Sequence, residues 1–228
     1  MTPRNLLRIL ASVFLIALAA PLLAQDRGYD RDHDRGYDRD HDRDQYRDHD
    51  RERGSILILS NERVTADFGG GNGGRPSQDA QCDGGFVAVG FHVQTGEFYN
   101  TAWLDCAPMR SDGSLGDERR MTTRTGSPGG RPVYDARCSN GRALRGLRGH
   151  TGGSIDDAAG ACSFVRDLAQ RNPNPQAEMT ETIARPRPGG HPAQAECPAG
   201  FVVTGFRSNS GEYMDHLWLI CSEIQRSY

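Results

Sequence analysis

Six cysteines fall into three pairs, Cys82 and Cys106, Cys138 and Cys162, Cys197 and Cys221, and within each pair the spacing is 24 positions. The same residues recur inside every interval. A glycine follows the first cysteine by three positions (Gly85, Gly141, Gly200) and another by eight (Gly90, Gly146, Gly205), the latter leading into Phe91, Leu147 or Phe206. A third stands fourteen positions on (Gly96, Gly152, Gly211), with Asn100, Asp156 or Asp215 four beyond it. Each first cysteine is preceded by Gly-Gly, a basic residue and proline, at Gly73–Pro76, Gly129–Pro132 and Gly189–Pro192. This is internal triplication with a period of 56 to 59 residues, so the fold must be one unit built three times.

The unit reads as a β-hairpin. Phe86–Val93 and Phe98–Leu104 are rich in strand formers, and no apolar stripe of helical period runs longer than two turns. The class is therefore all-β, with at most a short helix over 163–171. A hairpin turning near residues 94–96 sets Cys82 across from Cys106 at its open end. That geometry predicts the disulfides Cys82–Cys106, Cys138–Cys162 and Cys197–Cys221 over the cyclic set joining each repeat to the next, the other choice with threefold equivalence. The same register sets the glycines at offsets three and eight opposite Trp103 and Phe98, or Trp218 and Tyr213, aromatics suited to cover bare strand backbone. In the second repeat those partners are Ala159 and Ser154, and Arg142 and Arg145 replace apolar residues. Its sheet is expected to be the most polar.

Connector lengths predict closure. Between a second cysteine and the next Gly-Gly block lie 22 residues (107–128) and then 26 (163–188), whereas only 7 follow Cys221 and 19 (54–72) precede the first block. The last two together make one full connector. Val64-Thr65, Met121-Thr122 and Met179-Thr180 precede their Gly-Gly blocks by similar distances, so N-terminal strands, including Ile56–Leu59, should complete the sheet begun by the third hairpin. A closed ring leaves no exposed sheet edge.

Three segments follow from composition. Residues 1–24 read as a cleaved secretory signal: Arg4 and Arg8, an apolar run of about 12 residues from Ile9 to Ala20, and a small residue at Ala24. The run is short of the roughly 20 residues a membrane-spanning helix needs, so no membrane insertion is expected after cleavage. Residues 25–53 are a near-balanced Asp/Arg/His/Tyr octad tract, with too little apolar surface to offset the entropy of ordering. Alternating Asp and His around His33, His41 and His49 could hold a metal weakly, but composition assigns no ligand set. Residues 54–228 form one domain with 19 acidic residues and 17 arginines. That balance leaves no basic stripe for nucleic acid. All 27 basic residues are arginine, which excludes chemistry that requires lysine. Six cysteines in an exported chain favour disulfides over metal ligands.

Three such units closed by the N-terminus look like a pseudo-threefold β-prism with disulfide-stapled hairpins. The order Gly-Gly, Cys-x-x-Gly, Gly-Phe, Gly-x-x-x-Asp, Cys resembles the repeat of vitelline membrane outer layer proteins and their bacterial relatives. The Gly-Gly and Gly-x-x-x-Asp elements are also similar to jacalin-related lectins, which use such loops to hold sugar hydroxyls. The resemblance implies candidate ligand residues Gly73 and Gly74 with Asn100, Gly129 and Gly130 with Gly152 and Asp156, and Gly189 and Gly190 with Gly211, Tyr213 and Asp215. It implies glycans or a cell-envelope polysaccharide as partner, and no cofactor. The third repeat matches best, while the first departs from the pattern in having Asn100 for aspartate.

Polyol recognition needs few but convergent polar groups, and carboxylates, glycine-loop amides and exposed aromatics such as Tyr99 and Tyr213 would supply them. The plainer reading is that the glycines serve turn dihedrals and Asp156 and Asp215 bond their own backbone. A second class is a structural or matrix protein of the envelope. A hydrolase is least favoured, because Gly-x-Ser-x-Gly and His-Glu-x-x-His are absent and His92, His150, His191 and His216 stand singly in sequence. No catalytic residue is assigned, and the chain is read as a non-catalytic binding protein, periplasmic or extracellular.

Overall fold

The computed structural model describes residues 56–171, 176–184 and 189–227; the signal segment expected at 1–24 and the octad tract at 25–53 lie outside them. Within the described residues, strands gather into three five-stranded sheets. The first is built on the hairpin of β4 (Phe86–Thr95) and β5 (Tyr99–Pro108). It is extended beside β5 by β6 (Arg120–Met121) and β7 (Thr125–Gly126), and beside β4 by β8 (Val133–Arg137). The second pairs β9 (Arg142–Thr151) with β10 (Ile155–Phe164), flanked by β11 (Glu178–Met179), β12 (Ile183–Ala184) and β13 (His191–Glu196). In the third, β14 (Phe201–Ser210) pairs with β15 (Met214–Ser227), and the N-terminal strands complete it. There β1 (Ile56–Gly70) runs antiparallel to β15 from Ile56 opposite Ser227 to Gly70 opposite His216. β2 (Arg75–Pro76) and β3 (Ala80–Gln81) lie along β14. Closure is as the connector lengths predict, and the architecture is an all-β, three-sheet prism. The strand pairings align Thr65, not Val64, with Met121 and Met179, one residue from the sequence alignment.

The disulfides pair as expected, with Cα–Cα separations of 5.9, 5.7 and 5.7 Å, but for a different reason. Cys106 sits opposite Ala88, not Cys82. Cys82 follows β3 in the third sheet, where its amide donates to Thr204 O at 2.9 Å. Cys138 and Cys197 likewise donate to Val89 O (2.9 Å) and Arg145 O (2.8 Å) of the preceding repeat's hairpin. Val89, Arg145 and Thr204 occupy the same repeat position, at a register shift in each hairpin. Each disulfide therefore ties one sheet to the next around the ring. Each closes a loop of about 25 residues, worth roughly 3 kcal/mol through the unfolded state.

Moving the cysteines out of the hairpin also moves its turn, to residues 96–98. The expected aromatic cover over the strand glycines is not formed: Gly90 pairs with Asp105 and Gly205 with Ile220, while Trp103 faces His92 and Trp218 faces Arg207. The offset-eight glycine serves the neighbouring strand instead. A Cβ at Gly90 would lie 2.8 Å from Ala136 O, at Gly146 2.4 Å from Ala195 O, and at Gly205 2.9 Å from Ala80 O. Ala80, Ala136 and Ala195 each stand two residues before a first cysteine, so the glycine lets that strand come close enough to pair.

Triplicated sequence gives a triplicated core. Phe91, Leu147 and Phe206 meet on the inside with Tyr99, Ile155 and Met214, all at most 1% exposed. Phe91 and Phe206 pack edge to face at 6.3 Å. Where repeats one and three carry Leu104 and Leu219, the second has Gly160, and the space is taken by Leu144 in the place of Ala88 and Val203. At the end away from the turns, Val87, Ala143 and Val202 are capped by the short helix α1 (Val165–Ala169), which falls inside the predicted 163–171. Phe68 of β1 enters the core at 2% exposure. Phe68→Ala should destabilise by about 3–5 kcal/mol, measured by denaturant unfolding with reducing agent absent. A chain beginning at Gly54 should keep its melting temperature, whereas one beginning at Gly69 should fail to fold, because β15 loses its partner strand.

Candidate functional site

The three hairpin turns gather at one end of the prism with the Gly-Gly loops, but they pair in a permuted order. Each Gly-Gly block precedes a strand that hydrogen-bonds to the previous repeat's hairpin, so it meets that repeat's Gly-x-x-x-Asp turn and not its own. Gly73 and Gly74 lie against Asp215, Gly129 and Gly130 against Asn100, and Gly190 against Asp156. The pairings implied by the resemblance, Gly73 and Gly74 with Asn100, Gly129 and Gly130 with Asp156, and Gly189 and Gly190 with Asp215, are thus each displaced by one repeat.

The second glycine of each block is required twice over. Gly74, Gly130 and Gly190 have φ of +73°, +82° and +77°, a region that L side chains seldom adopt. A Cβ there would also stand 2.6 Å from Asp215 Oδ2, 2.7 Å from Asn100 Oδ1 or 2.3 Å from Asp156 Oδ2. The three copies differ in access. Asp156 is 2% exposed and Asn100 7%, whereas Asp215 is half-buried between the exposed residues Gly73, Gly74 and Gly211. Its Oδ2 accepts the Gly211 amide at 2.7 Å, the backbone bond of the plainer reading, while Oδ1 faces Gly73.

The turn carrying Asp215 is held from both sides. On one side Gly71 N donates to Asp215 O at 2.7 Å, and His216 reaches Gly71 O at 3.1 Å and Asp67 Oδ1 at 2.7 Å while stacking on Trp218 at 4.1 Å. On the other, the Asn100 amide donates to Glu212 O at 3.3 Å and the Ser127 hydroxyl donates to Gly211 O. Tyr213 packs on Phe98 with ring centroids 4.6 Å apart, and its hydroxyl donates to Glu212 at 3.3 Å. Loss of solvent contact and the neighbouring carboxylates of Glu212 and Glu97 push the Tyr213 phenol above its ordinary pKa. Tyr99 is not an exposed aromatic as expected: it is 1% exposed and its hydroxyl donates to Ile183 O in the core.

Sequence reasoning missed a polar pair elsewhere. His150 Nδ1 lies 3.0 Å from Asp157 Oδ2 across the second hairpin. The two are register partners only once the bulge and the displaced turn are known. Among the described residues no three His, Cys, Asp or Glu side chains are placed to hold a metal ion, and no helix is long and apolar enough to cross a membrane.

No protein-family model matches the chain, and no curated protein matches it. Among solved structures, Malaysian banana lectin superposes on 75% of this chain and 99% of its own, at 15% identity and a TM-score of 0.44. Artocarpin, solved with Me-α-mannose, covers 72% of this chain and 99% of its own at 11% identity and a TM-score of 0.48. A mannose-binding jacalin related lectin from Ananas comosus covers 72% and 98% at 14% identity and a TM-score of 0.46. The prism architecture itself rests on the strand pairings above.

The loop contacts make a direct test. Gly74→Ala should lower the melting temperature by several degrees, because both its φ and the nearby Asp215 and Ser210 atoms oppose a Cβ. Gly84→Ala, where a Cβ would meet nothing within 4 Å, should leave thermal unfolding unchanged.

Proposed function

We propose that this is an exported, non-catalytic carbohydrate-binding protein whose ligand sits at the ring closure, between Gly73-Gly74 and Gly211–Asp215. The observation that carries the reading is Asp215, a half-exposed carboxylate oriented by the Gly211 amide between two exposed glycine loops. A carboxylate so held can accept hydrogen bonds from a pair of sugar hydroxyls, and the glycines leave room for a ring to approach the backbone. Glu212 and Arg75, both exposed on the same loops, add polar groups at the rim. Asn100 with Gly129 and Gly130, and Asp156 with Gly152, Gly189 and Gly190, are weaker candidates, because Asn100 and Asp156 are buried.

The glycine and Gly-x-x-x-Asp pattern, like that of jacalin-related lectins and the vitelline membrane outer layer repeat, supports the same ligand class. Three disulfides and the leader read at residues 1–24 suit an oxidising compartment outside the cytoplasm. Free glycans or a cell-envelope polysaccharide are the partners that fit.

The test is a glycan-array screen of the chain lacking residues 1–24, followed by affinity measurements on hits. Asp215→Ala should weaken binding more than tenfold, equivalent to about 1.4 kcal/mol or more. If Asp215→Ala lowers the melting temperature but leaves glycan affinity intact, the carboxylate only bonds its own turn. An array without hits, together with retention of the chain in an envelope fraction, would replace the binding role with a structural one.

A further inference from the structure

The threefold repeat supplies an internal template for the outer face of each sheet, and the second sheet lacks one part of it. In the first sheet Trp103, opposite His92 in the ladder, is 4% exposed. Its indole stacks on the His92 ring at 5.2 Å with the planes 9° apart, and the Arg124 guanidinium lies 4.3 Å from the indole centroid. In the third sheet Trp218 holds the same place opposite Arg207 and stacks on His216. Neither tryptophan belongs to the inner core.

In the second sheet the position is Ala159, opposite Arg148. A groove of about 670 Å³ is open there, bounded by Arg148, Ala159, Met179 and Thr182 and reaching His150 and Asp157. Its volume is in the range of small-molecule sites. Arg148 stands where His92 stacks on an indole, and Met179 holds the register position of Met121 in the first sheet.

From this we infer that the outer groove of the second sheet binds a planar aromatic small molecule with an N–H or O–H donor, an indole or a phenol. The ring lies on Ala159 where the other repeats carry their own indole. Its π face meets the Arg148 guanidinium, which is half-exposed and held by Glu196 Oε1 at 2.9 Å. Met179, 39% exposed, gives a polarizable thioether beside the ring. The ring's donor reaches Asp157, whose carboxylate is 9% exposed and has both oxygens within 3.2 Å of His150 Nδ1. A carboxylate of four lone-pair sites retains capacity for a further donor. Opposite charges thus meet each part of the ligand, a cation on the ring face and an anion at the ring edge.

Titration of the chain with N-acetyltryptophanamide, followed by methyl and amide NMR, reads the proposal. Saturable shifts should appear at Ala159, Met179 and Thr182. N-acetylcyclohexylalaninamide, apolar but without π electrons or a ring donor, should bind at least fivefold more weakly. Ala159→Trp fills the slot with the repeat's own side chain; it should raise the melting temperature and abolish the shifts. Should that variant not fold, Arg148→Ala, at an exposed side chain, serves instead and should weaken binding at least threefold without changing thermal stability. Absence of saturable shifts, equal binding of the cyclohexyl probe, or binding that survives both substitutions would overturn the inference. Asp215→Ala should leave this binding unchanged, so its outcome is separate from that of the sugar site.

Discussion

Everything in this molecule hangs on how one repeat grips the next. The strand before each first cysteine leaves its own repeat and pairs with the preceding hairpin, where the cysteine amide donates to the carbonyl of Val89, Arg145 or Thr204. The thiol then bonds back to its own hairpin, at Cys106, Cys162 or Cys221. A hydrogen-bonded ladder and a covalent bond thus join adjacent sheets at the same point, three times around the ring. The glycine at offset eight is part of the same device, since any side chain there would meet the carbonyl of Ala80, Ala136 or Ala195. With β1 laid along β15, the N-terminal strand completes the third sheet.

That exchange of strands also decides what the loop end can be. Because each Gly-Gly block travels with the exchanged strand, it reaches the turn of the previous repeat, and each contact between glycine loop and Asp or Asn draws on two repeats. Three near-equivalent loop contacts result, and they differ in the exposure of their polar residue. Asn100 is drawn under Glu212, Asp156 is buried beside Gly190, and Asp215 alone of the three stays half-exposed.

Divergence of the second repeat works in two directions. Inside, Gly160 for leucine is matched by Leu144 for a smaller residue, so the core stays filled. Outside, Ala159 stands in place of tryptophan, and a groove remains beside it. Close packing of an interior penalises an empty volume, whereas a solvent-facing surface does not. The asymmetry between a repaired core and an open face follows from that difference.

Much of the fold was legible because repetition needs no three-dimensional information to detect. The cysteine spacing, the recurring glycines and the connector lengths determined the all-β class, the three hairpins and closure by the N-terminal strand, and they narrowed the disulfides to two threefold-equivalent sets. What they could not convey was the register. Cysteines that belong to neighbouring sheets, and register shifts near both ends of each hairpin, placed the turn at 96–98 and not 94–96, uncoupled Trp103 from Gly85, and brought His150 opposite Asp157. The partnership of Gly74 with Asp215, of Gly130 with Asn100 and of Gly190 with Asp156 was likewise decided only in three dimensions. Sequence proximity suggested that each repeat would build its own site. Backbone hydrogen bonding across the sheet boundary, which is blind to repeat boundaries and depends only on which edges can pair, made each of these loop contacts from two.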